Sequence, residues 1–207
     1  MAEYLASVCG TENKVNCSFY FKIGTCRHGD RCPRLHNKPT FSQTILLPSL
    51  YRNPQNTAQT ADGSHCHVRH AEVQEHCDKF FKEVFAELQE KYGEIEEMNV
   101  CDNLGDHLMG NVYVKEDAER AVAELSNPWL KGQAVHAELS PVTDFRESCC
   151  RQYEIGECTR GAFCNFMHLQ PISQNLWQQL YGQEPSRRYL RTKRNQRHSP
   201  DHRHGRF

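Results

Sequence analysis

Two clusters of cysteine and histidine with nearly the same spacing constrain this chain more than any other feature. The first consists of Cys17, Cys26, Cys32 and His36, and the second of Cys150, Cys158, Cys164 and His168. In both clusters, intervals of five and then three residues separate the last three members. Three thiolates and one imidazole complete the tetrahedral coordination of Zn²⁺ and leave no open position for a substrate. The sequence therefore predicts two structural zinc sites, each with one Zn²⁺ ion.

The first ligand of the second cluster has alternative candidates, because Cys149 and Cys150 are adjacent. Cys149 reproduces the interval of eight residues that opens the first cluster, whereas Cys150 gives seven. In the first cluster a tyrosine follows the first cysteine by three positions, and a glycine precedes the second cysteine by two. Counting from Cys150 reproduces both features, with Tyr153 and Gly156. This internal alignment favours Cys150 and keeps Cys149 as the alternative.

The composition favours metal binding over disulfides. Each cluster closes a segment of about 20 residues, which is too short to bury a core, so the metal would supply the folding energy. The N-terminus has no secretory signal pattern, and no apolar run approaches the length of about 18 residues typical of a membrane span. We therefore expect a reducing compartment, thiols that bind metal, and no membrane partner.

The net charge of −1 conceals a strong segregation of charge along the chain. Residues 61–145 contain 18 Asp and Glu against 7 Lys and Arg. Residues 1–60 contain 7 Lys and Arg against 3 Asp and Glu, and residues 146–207 contain 11 against 5. Basic segments suit a phosphate backbone, whereas an acidic segment prefers a basic protein partner. The charges thus predict nucleic-acid binding at both ends and protein binding in the middle.

Hydrophobic periodicity predicts one long helix in the middle of the chain. Apolar residues recur at helical spacing from Val73 to Tyr92, and Gly93 follows as a C-terminal cap. Strand patterns cover residues 95–100, 111–114 and 135–139, with a weak one at 65–68, and a short helix is expected near residues 118–125. The order βαββαβ predicts an α+β, ferredoxin-like domain, in which two helices cover one face of a four-stranded antiparallel sheet.

These patterns divide the chain into four parts. The first zinc finger covers residues 13–40, the domain of the RNA-recognition type covers 65–143, and the second zinc finger covers 146–172. Residues 183–207 form a basic tail that is predicted to be disordered. Residues 41–64 are interpreted as a connection that ends in a polar linker.

Aromatic and arginine side chains crowd both zinc fingers. Aromatic rings can stack on unpaired bases while arginines bind phosphates or base edges, which is typical of proteins that bind single-stranded RNA. The residues predicted to bind RNA are Phe19, Tyr20, Arg27, Arg34, Arg151, Arg160 and Phe166. Spacing and side chains resemble the CCCH fingers of RNA-binding proteins, in which an aromatic residue between the last cysteine and the histidine often stacks on a base. Phe166 has that position in the second finger.

The middle domain lacks most of the aromatic residues that an RNA-binding sheet requires. The octapeptide signature of the RNA-recognition motif falls on residues 109–116, where only Gly110, Tyr113 and Val114 agree with it. The predicted first strand at residues 65–68 has no aromatic residue. We therefore expect this domain to bind protein rather than RNA.

A domain of the RNA-recognition type lies between two CCCH fingers, and three segments are distinctive: Asn16–Phe21, Cys101–His107 and Glu138–Arg146. With these features the chain resembles the small subunit of the U2 small nuclear ribonucleoprotein auxiliary factor. The resemblance covers about residues 1–182. It implies a nuclear pre-mRNA splicing factor that recognises the AG dinucleotide of the 3′ splice site in single-stranded pre-mRNA. It also implies a U2AF-homology motif that binds a tryptophan-bearing peptide of the large subunit, with Glu83, Glu87 and Trp129 at the matching positions.

The chain departs from that family in the middle domain. Pro128 and Leu130 replace an arginine and a phenylalanine that flank the ligand tryptophan in the family. The family has several more residues after Lys115, and its longer members carry extended Arg-Ser repeats in the tail. The resemblance therefore implies a diverged copy similar to a short-tailed paralogue. We expect this chain to retain zinc binding and RNA binding better than it retains binding of the large subunit.

The sequence also permits other functions. The chain could be a CCCH RNA-binding adaptor in mRNA processing or turnover, or a diverged copy with weakened partner binding. An enzyme is not expected, because the sequence has no pairing of nucleophile and base, no phosphate-binding loop and no open metal site. A small-molecule substrate is not expected for the same reason.

Overall fold

The computed structural model describes residues 15–54, 69–115, 129–130 and 133–182. The strand expected at residues 65–68, the helix expected near 118–125 and the tail at 183–207 lie outside these residues. The described elements are α1 (Ser18–Ile23), β1 (Thr44–Leu47), α2 (His70–Tyr92), β2 (Glu97–Val100), β3 (Val112–Lys115), β4 (Trp129–Leu130), β5 (Gln133–Ala134), β6 (Glu138–Leu139), α3 (Phe145–Ser148), α4 (Arg151–Glu154) and α5 (Gln174–Tyr181). Short 3₁₀ turns at Gly29–Arg31 and Gly161–Phe163 lie inside the two fingers.

The main sheet has four antiparallel strands in the order β2-β3-β1-β6, and β4 and β5 form a separate short hairpin. The α+β fold class is confirmed, and the sheet includes a strand that lies before residue 65, where the domain was expected to start. Strand β1 pairs with both β3 and β6, so the sheet contains residues 44–47, which were interpreted as part of a connection. All four residues of β1 are buried, because both faces of this central strand are covered. A strand covered on both faces has no polar alternation to reveal it.

One face of the sheet packs against α2, as the sequence predicts. The helix ends at Tyr92, and Gly93 with φ of 98° closes it by donating its N–H to the carbonyl of Gln89. The buried core between helix and sheet includes Phe81, Val84, Phe85 and Leu88 from α2. Strands β1, β2 and β3 contribute Ile45, Leu47, Met98, Val100, Val112 and Val114 to the same core. This core holds α2 against one face of the sheet.

The opposite face of the sheet is covered by the zinc fingers. A second core joins Leu46 and Tyr113 of the sheet to Ile23 of the first finger and to Phe145 and Met167 of the second. Tyr113 is 0% exposed, and its hydroxyl donates a hydrogen bond of 2.8 Å to the backbone carbonyl of Ile23. The face on which an RNA-recognition motif would stack bases is therefore closed by protein.

Helix α5 holds the end of the second finger against α2. The side-chain amide of Gln74 donates to the carbonyl of Pro171 at 2.8 Å, and the carboxylate of Asp78 accepts from the N–H of Ser173 at 2.8 Å. The N–H of Met98 donates to the hydroxyl of Tyr181 at 3.2 Å. The spacing of Leu176, Trp177 and Leu180 predicts a short helix over residues 174–181, and these bounds are confirmed. None of the helices in the described part of the chain combines the length and the apolar character needed to cross a bilayer.

Candidate RNA-binding zinc centres

The first cluster has the geometry of a zinc site. The four potential ligand atoms of Cys17, Cys26, Cys32 and His36 all lie within 4.8 Å of one another. The Sγ atoms of Cys26 and Cys32 are 3.9 Å apart, and two sulfurs bound to one tetrahedral Zn²⁺ are expected about 3.8 Å apart. The Nε2 atom of His36 is buried and has no hydrogen-bond partner among the described residues. A metal ion would satisfy this atom, so the residues fit Zn²⁺.

The second cluster uses Cys150, which confirms the internal alignment. Its ligand atoms come from Cys150, Cys158, Cys164 and His168 and also lie within 4.8 Å of one another. Cys149 instead packs into the core between the sheet and the fingers. The Nε2 atom of His168 is buried without a hydrogen-bond partner in the described part of the chain. Both clusters are zinc sites, and a closed Cys₃His set makes them structural.

Binding of a metal at each site must displace protons from buried thiols. Burial raises the pKa of Cys26 to about 11 and the pKa of Cys150 to about 12, so these thiols would stay protonated without a neighbouring positive charge. Burial lowers the pKa of His168 to about 4, and the charge of Arg160 acts in the same direction. His168 is therefore neutral at physiological pH, which is the form that binds Zn²⁺.

A tyrosine stacks on the zinc-binding histidine in each finger. The ring of Tyr20 lies on that of His36 with centroids 4.6 Å apart and 9° between planes, and Tyr153 lies on His168 at 4.1 Å and 6°. Tyr20 was predicted to bind RNA, but one face of its ring supports a metal ligand. The tyrosines that aligned the two clusters thus have the same structural position in both fingers.

The second finger presents its three predicted RNA-binding side chains to one groove. Arg151, Arg160 and Phe166 line a concave region of about 470 Å³, and the groove also includes Lys22 and Arg146. We call this region the basic groove. The sequence analysis missed Lys22 and Arg146, because they join the groove only after the two fingers pack together. Lys22 is paired with Glu147, Nζ to Oε2, at 3.3 Å.

Side-chain contacts bring the two fingers together beside this groove. The rings of Phe19 and Phe166 meet edge to face with centroids 6.3 Å apart. The hydroxyl of Ser148 donates to the backbone carbonyl of Lys22. The two fingers therefore form a continuous surface, with one predicted stacking ring from each of them in contact.

The remaining predicted RNA-binding residues, Arg27 and Arg34, lie in the first finger and are exposed. Neither lines the basic groove. Arg27 instead lines a separate concave region on which the loop after β2 also lies, and its Nε donates to Nε2 of His28 at 3.4 Å. The first finger thus presents its arginines to a different part of the surface.

The loop after β2 fixes the second finger through Asn103, which the sequence analysis did not identify. Asn103 is 1% exposed. Its amide donates to the carbonyl of Phe166 at 2.9 Å, and its side-chain oxygen accepts from the N–H of His168 at 2.8 Å. The N–H of Asp102 donates to the carbonyl of His168 at 2.7 Å. The middle domain thereby holds a zinc ligand and a predicted base-stacking ring in fixed positions.

Comparisons with known proteins agree with this arrangement. Residues 12–38 and 144–170 match the family described as zinc finger C-x8-C-x5-C-x3-H type (and similar). The chain is 77% identical to the splicing factor U2AF 26 kDa subunit of Homo sapiens over 220 residues, which covers 100% of both chains. It is 69% identical to the U2af 38 kDa subunit of Drosophila melanogaster over 188 residues, covering 87% of this chain and 71% of that one. It is 53% identical to the U2AF 23 kDa subunit of Schizosaccharomyces pombe over 185 residues, covering 87% and 83%.

The chain belongs to the U2AF small-subunit family of splicing factors. The two segments that match the CCCH family contain the two metal-binding groups. The chain of 207 residues is shorter than the 220 residues over which it aligns with the 26 kDa relatives. The segment after Lys115, where the sequence indicates missing residues, lies outside the described residues.

The residues that the U2AF resemblance assigns to large-subunit binding lie in the middle domain. Glu83 and Glu87 are one turn apart on α2 and half-buried, and Glu87 Oε1 pairs with Lys91 Nζ at 2.9 Å. Trp129 is the first residue of β4 and pairs with Ala134 of β5. The structure places the two glutamates on the helix that covers one face of the sheet.

Proposed function

We propose that this chain is a pre-mRNA splicing factor subunit whose two zinc fingers together bind the AG dinucleotide of the 3′ splice site in single-stranded pre-mRNA. The observation that carries the proposal is the basic groove, where Arg151, Arg160 and Phe166 lie beside Phe19 of the first finger. Residues of both fingers are needed to build this surface, so one short RNA segment would contact both fingers at once. Family membership supports the same function.

The closed sheet supports assigning RNA binding to the fingers. Tyr113 agrees with the RNA-recognition octapeptide and would be a stacking ring in an open sheet. Here the first finger buries it, and its hydroxyl is held by Ile23. Arginine and aromatic side chains around the groove supply what single-stranded RNA requires, namely phosphate contacts and stacking faces.

The lining of the basic groove has an excess of positive charge, which suits contact with a short segment of RNA. Lys22, Arg146, Arg151 and Arg160 bring four cations, against one carboxylate from Glu147. Because Lys22 is paired with Glu147, the arginines are the main candidates for phosphate or base-edge contacts. The volume of the groove, about 470 Å³, can accommodate two bases, because binding sites for small ligands have volumes of roughly 300–1,000 Å³.

We further propose that the middle domain binds the large subunit of the auxiliary factor through α2 and the β4–β5 hairpin. Glu83 and Glu87 on α2 offer a negative surface to a basic peptide, and Trp129 of β4 has the position that makes a reciprocal contact in the family. Pro128 and Leu130 replace residues that flank the ligand tryptophan in the family. We therefore expect weaker binding of the large subunit than an intact paralogue shows.

This role makes the chain a binding protein of the nucleus rather than an enzyme. Both metal sites have a full set of protein ligands, which suits a structural role. Splicing takes place in the nucleus, so nuclear placement follows from the proposed role.

The proposal is tested by titrating zinc-loaded full-length chain with RNAs that differ only at the AG dinucleotide, with and without the large subunit. We expect a clear preference for the AG-containing RNA in both conditions. Equal affinity for the two RNAs would refute recognition of AG. Large-subunit binding as tight as that of an intact paralogue would refute the expected weakening but leave RNA recognition standing.

A further inference from the structure

A small cavity lies beside the outer edge of the sheet, where the second finger and α5 meet β2. Strand β2 is at one end of the sheet order, so one of its edges has no neighbour among the described strands. The cavity has a volume of about 100 Å³, and its walls come from α2, β2, the second finger and α5. We call it the β2 cavity. Unlike the basic groove, its described lining contains no lysine, arginine or histidine.

Hydrogen bonds and ring stacking hold the walls of the β2 cavity in place. The N–H of Gln170 donates to the carbonyl of Val100 at 2.9 Å, which ties the end of the second finger to β2. The N–H of Met98 donates to the hydroxyl of Tyr181 at 3.2 Å, which ties α5 to the same strand. The ring of Tyr153 lines the cavity and is stacked on the zinc-binding histidine of the second finger, with centroids 4.1 Å apart. The cavity is therefore built into the fold.

Aromatic rings form much of the wall of the β2 cavity. The rings come from four separate helices, and they are Phe81 of α2, Phe145 of α3, Tyr153 of α4 and Trp177 of α5. Phe81 and Phe145 are buried, and the other two rings are half-buried. The face of an aromatic ring attracts a cation, and clusters of such rings are used to bind quaternary ammonium groups and methylated lysine.

Two carboxylate side chains line the same cavity. Glu97 comes from β2 and Glu154 from α4, and both are half-buried. Within the described part of the chain Glu97 forms no ion pair, and its Oε1 accepts a hydrogen bond of 2.9 Å from the side-chain amide of Asn99. Because no basic side chain of the described lining balances these carboxylates, they favour a ligand with positive charge and disfavour a phosphate.

Gln170 adds a buried amide to the lining of the β2 cavity. This residue is 7% exposed, and its Nε2 atom has no hydrogen-bond partner among the described residues. A buried donor without an acceptor is costly, and a carbonyl or hydroxyl oxygen can accept from it. A peptide supplies such an oxygen in its backbone, and choline supplies one in its hydroxyl group.

The volume of the cavity suits a small head group. An apolar cavity of about 150 Å³ holds one benzene molecule, so a cavity of about 100 Å³ fits a compact group such as trimethylammonium. From these observations we propose that the β2 cavity binds a methylated ammonium group. This chemistry is shared by a methylated lysine of a partner protein and by a free quaternary amine such as choline.

In the proposed complex each part of the lining has a separate role. The aromatic rings surround the methyl groups, Glu97 and Glu154 balance the charge, and Gln170 donates to an oxygen of the ligand. The inference goes beyond the proposed function, because it gives the chain a ligand that is neither RNA nor the tryptophan-bearing peptide of the large subunit.

The first arm of the test compares choline with its uncharged carbon analogue, in which a tert-butyl group replaces trimethylammonium. Each compound is titrated into the zinc-loaded full chain, and the indole N–H signals are followed by NMR. The chain has two tryptophans, and Trp129 is an internal control because it is not among the described lining residues. Choline should shift the Trp177 signal with a dissociation constant on the order of 1 mM, and the analogue should bind about tenfold more weakly.

The second arm distinguishes the two sources of the ligand. Two short glycine-flanked peptides, one with trimethyl-lysine and one with unmodified lysine, are titrated in the same way. Tighter binding of the trimethylated peptide than of choline would assign the cavity to a methylated protein, and the reverse order would assign it to a free quaternary amine. Either order supports the inference. Measurable and equal binding of the two peptides would overturn it, because the methyl groups would then contribute nothing.

Variants locate the binding site. Glu97→Gln removes one negative charge and keeps the shape of the side chain, so it should weaken choline binding about fivefold. Glu94→Gln is the matched control, because Glu94 is an exposed glutamate of the same segment that does not line the cavity, and this variant should bind choline as wild type does. Glu154→Gln gives the same comparison if Glu97→Gln does not fold, as judged by its zinc content.

Three outcomes would overturn the inference. They are wild-type affinity in the folded Glu97→Gln or Glu154→Gln variant, equal affinity for choline and its uncharged analogue, and a Trp177 signal that neither choline nor the trimethylated peptide shifts. RNA is absent from all of these titrations, so their outcome is independent of whether the chain recognises AG.

Discussion

Replacing Asn103 with alanine should destabilise the second zinc finger more than any neighbouring surface change. The side chain of Asn103 satisfies two backbone groups of the finger, the carbonyl of Phe166 and the N–H of His168. Because the residue is 1% exposed, water does not easily replace either bond. Leaving a buried polar group unsatisfied costs about 1–3 kcal/mol, so the loss of both bonds predicts a decrease of roughly 2–6 kcal/mol in the free energy of unfolding.

The assay is urea unfolding of the zinc-loaded chain, combined with chelator competition for the second zinc. Asn103→Asp keeps the acceptor for the His168 N–H but removes the donor to Phe166, so it should be intermediate. Asn37→Ala is the matched control, because Asn37 is exposed and its amide donates to the side chain of Asn16 rather than to a backbone group of the second finger. An Asn103→Ala stability within about 0.5 kcal/mol of wild type would refute the reasoning, since that is the range of neutral surface changes.

Four further predictions concern the two fingers and their contacts. Tyr113→Phe should lower the free energy of unfolding by about 1–2 kcal/mol, because the buried Ile23 carbonyl loses its donor, and should leave the RNA affinity of the folded chain unchanged; weakened RNA binding in anisotropy titrations would contradict this. Cys150→Ser should reduce bound zinc from two ions to one by atomic absorption, whereas Cys149→Ser should retain both, and the reverse outcome would assign the ligand to Cys149. Tyr153→Leu should bind zinc more weakly than Tyr153→Phe in chelator competition, because only phenylalanine preserves the ring stacked on the zinc-binding histidine; equal affinities would exclude support by stacking. Arg160→Ala should weaken binding of AG RNA, and the slope of log affinity against log salt concentration should decrease by about the contribution of one phosphate contact. An unchanged slope would show that Arg160 does not contact a phosphate.

Local features of the chain could be predicted from its sequence. All eight zinc ligands follow from spacing, because intervals of a few residues bring the side chains together without help from distant parts of the chain. The long helix and its end at Gly93 follow from helical periodicity and glycine capping, and α5 follows from the same rule. These features depend on contacts within about two turns of helix or within one small loop.

Features that depend on long-range packing could not be predicted. Strand β1 lies between two strands distant in sequence and is buried on both faces, so it has no alternation of polar residues. The octapeptide comparison could not show that Tyr113 is buried, because the zinc fingers cover it only in the folded chain. Lys22 and Arg146 join the basic groove because the fingers dock on the same sheet. Docking of separate modules leaves no periodic signal in a single sequence.

The position of the RNA on the protein tests the central claim most directly. A short RNA with one AG and a photoreactive base within it is cross-linked to the zinc-loaded chain, and the modified residues are identified by mass spectrometry. The account predicts that this single RNA cross-links to both fingers, at or beside Phe19 and Phe166, where the two rings meet at the basic groove. Cross-links confined to one finger, or located on β1 and β3 of the sheet, would contradict a single RNA site shared by the two zinc fingers.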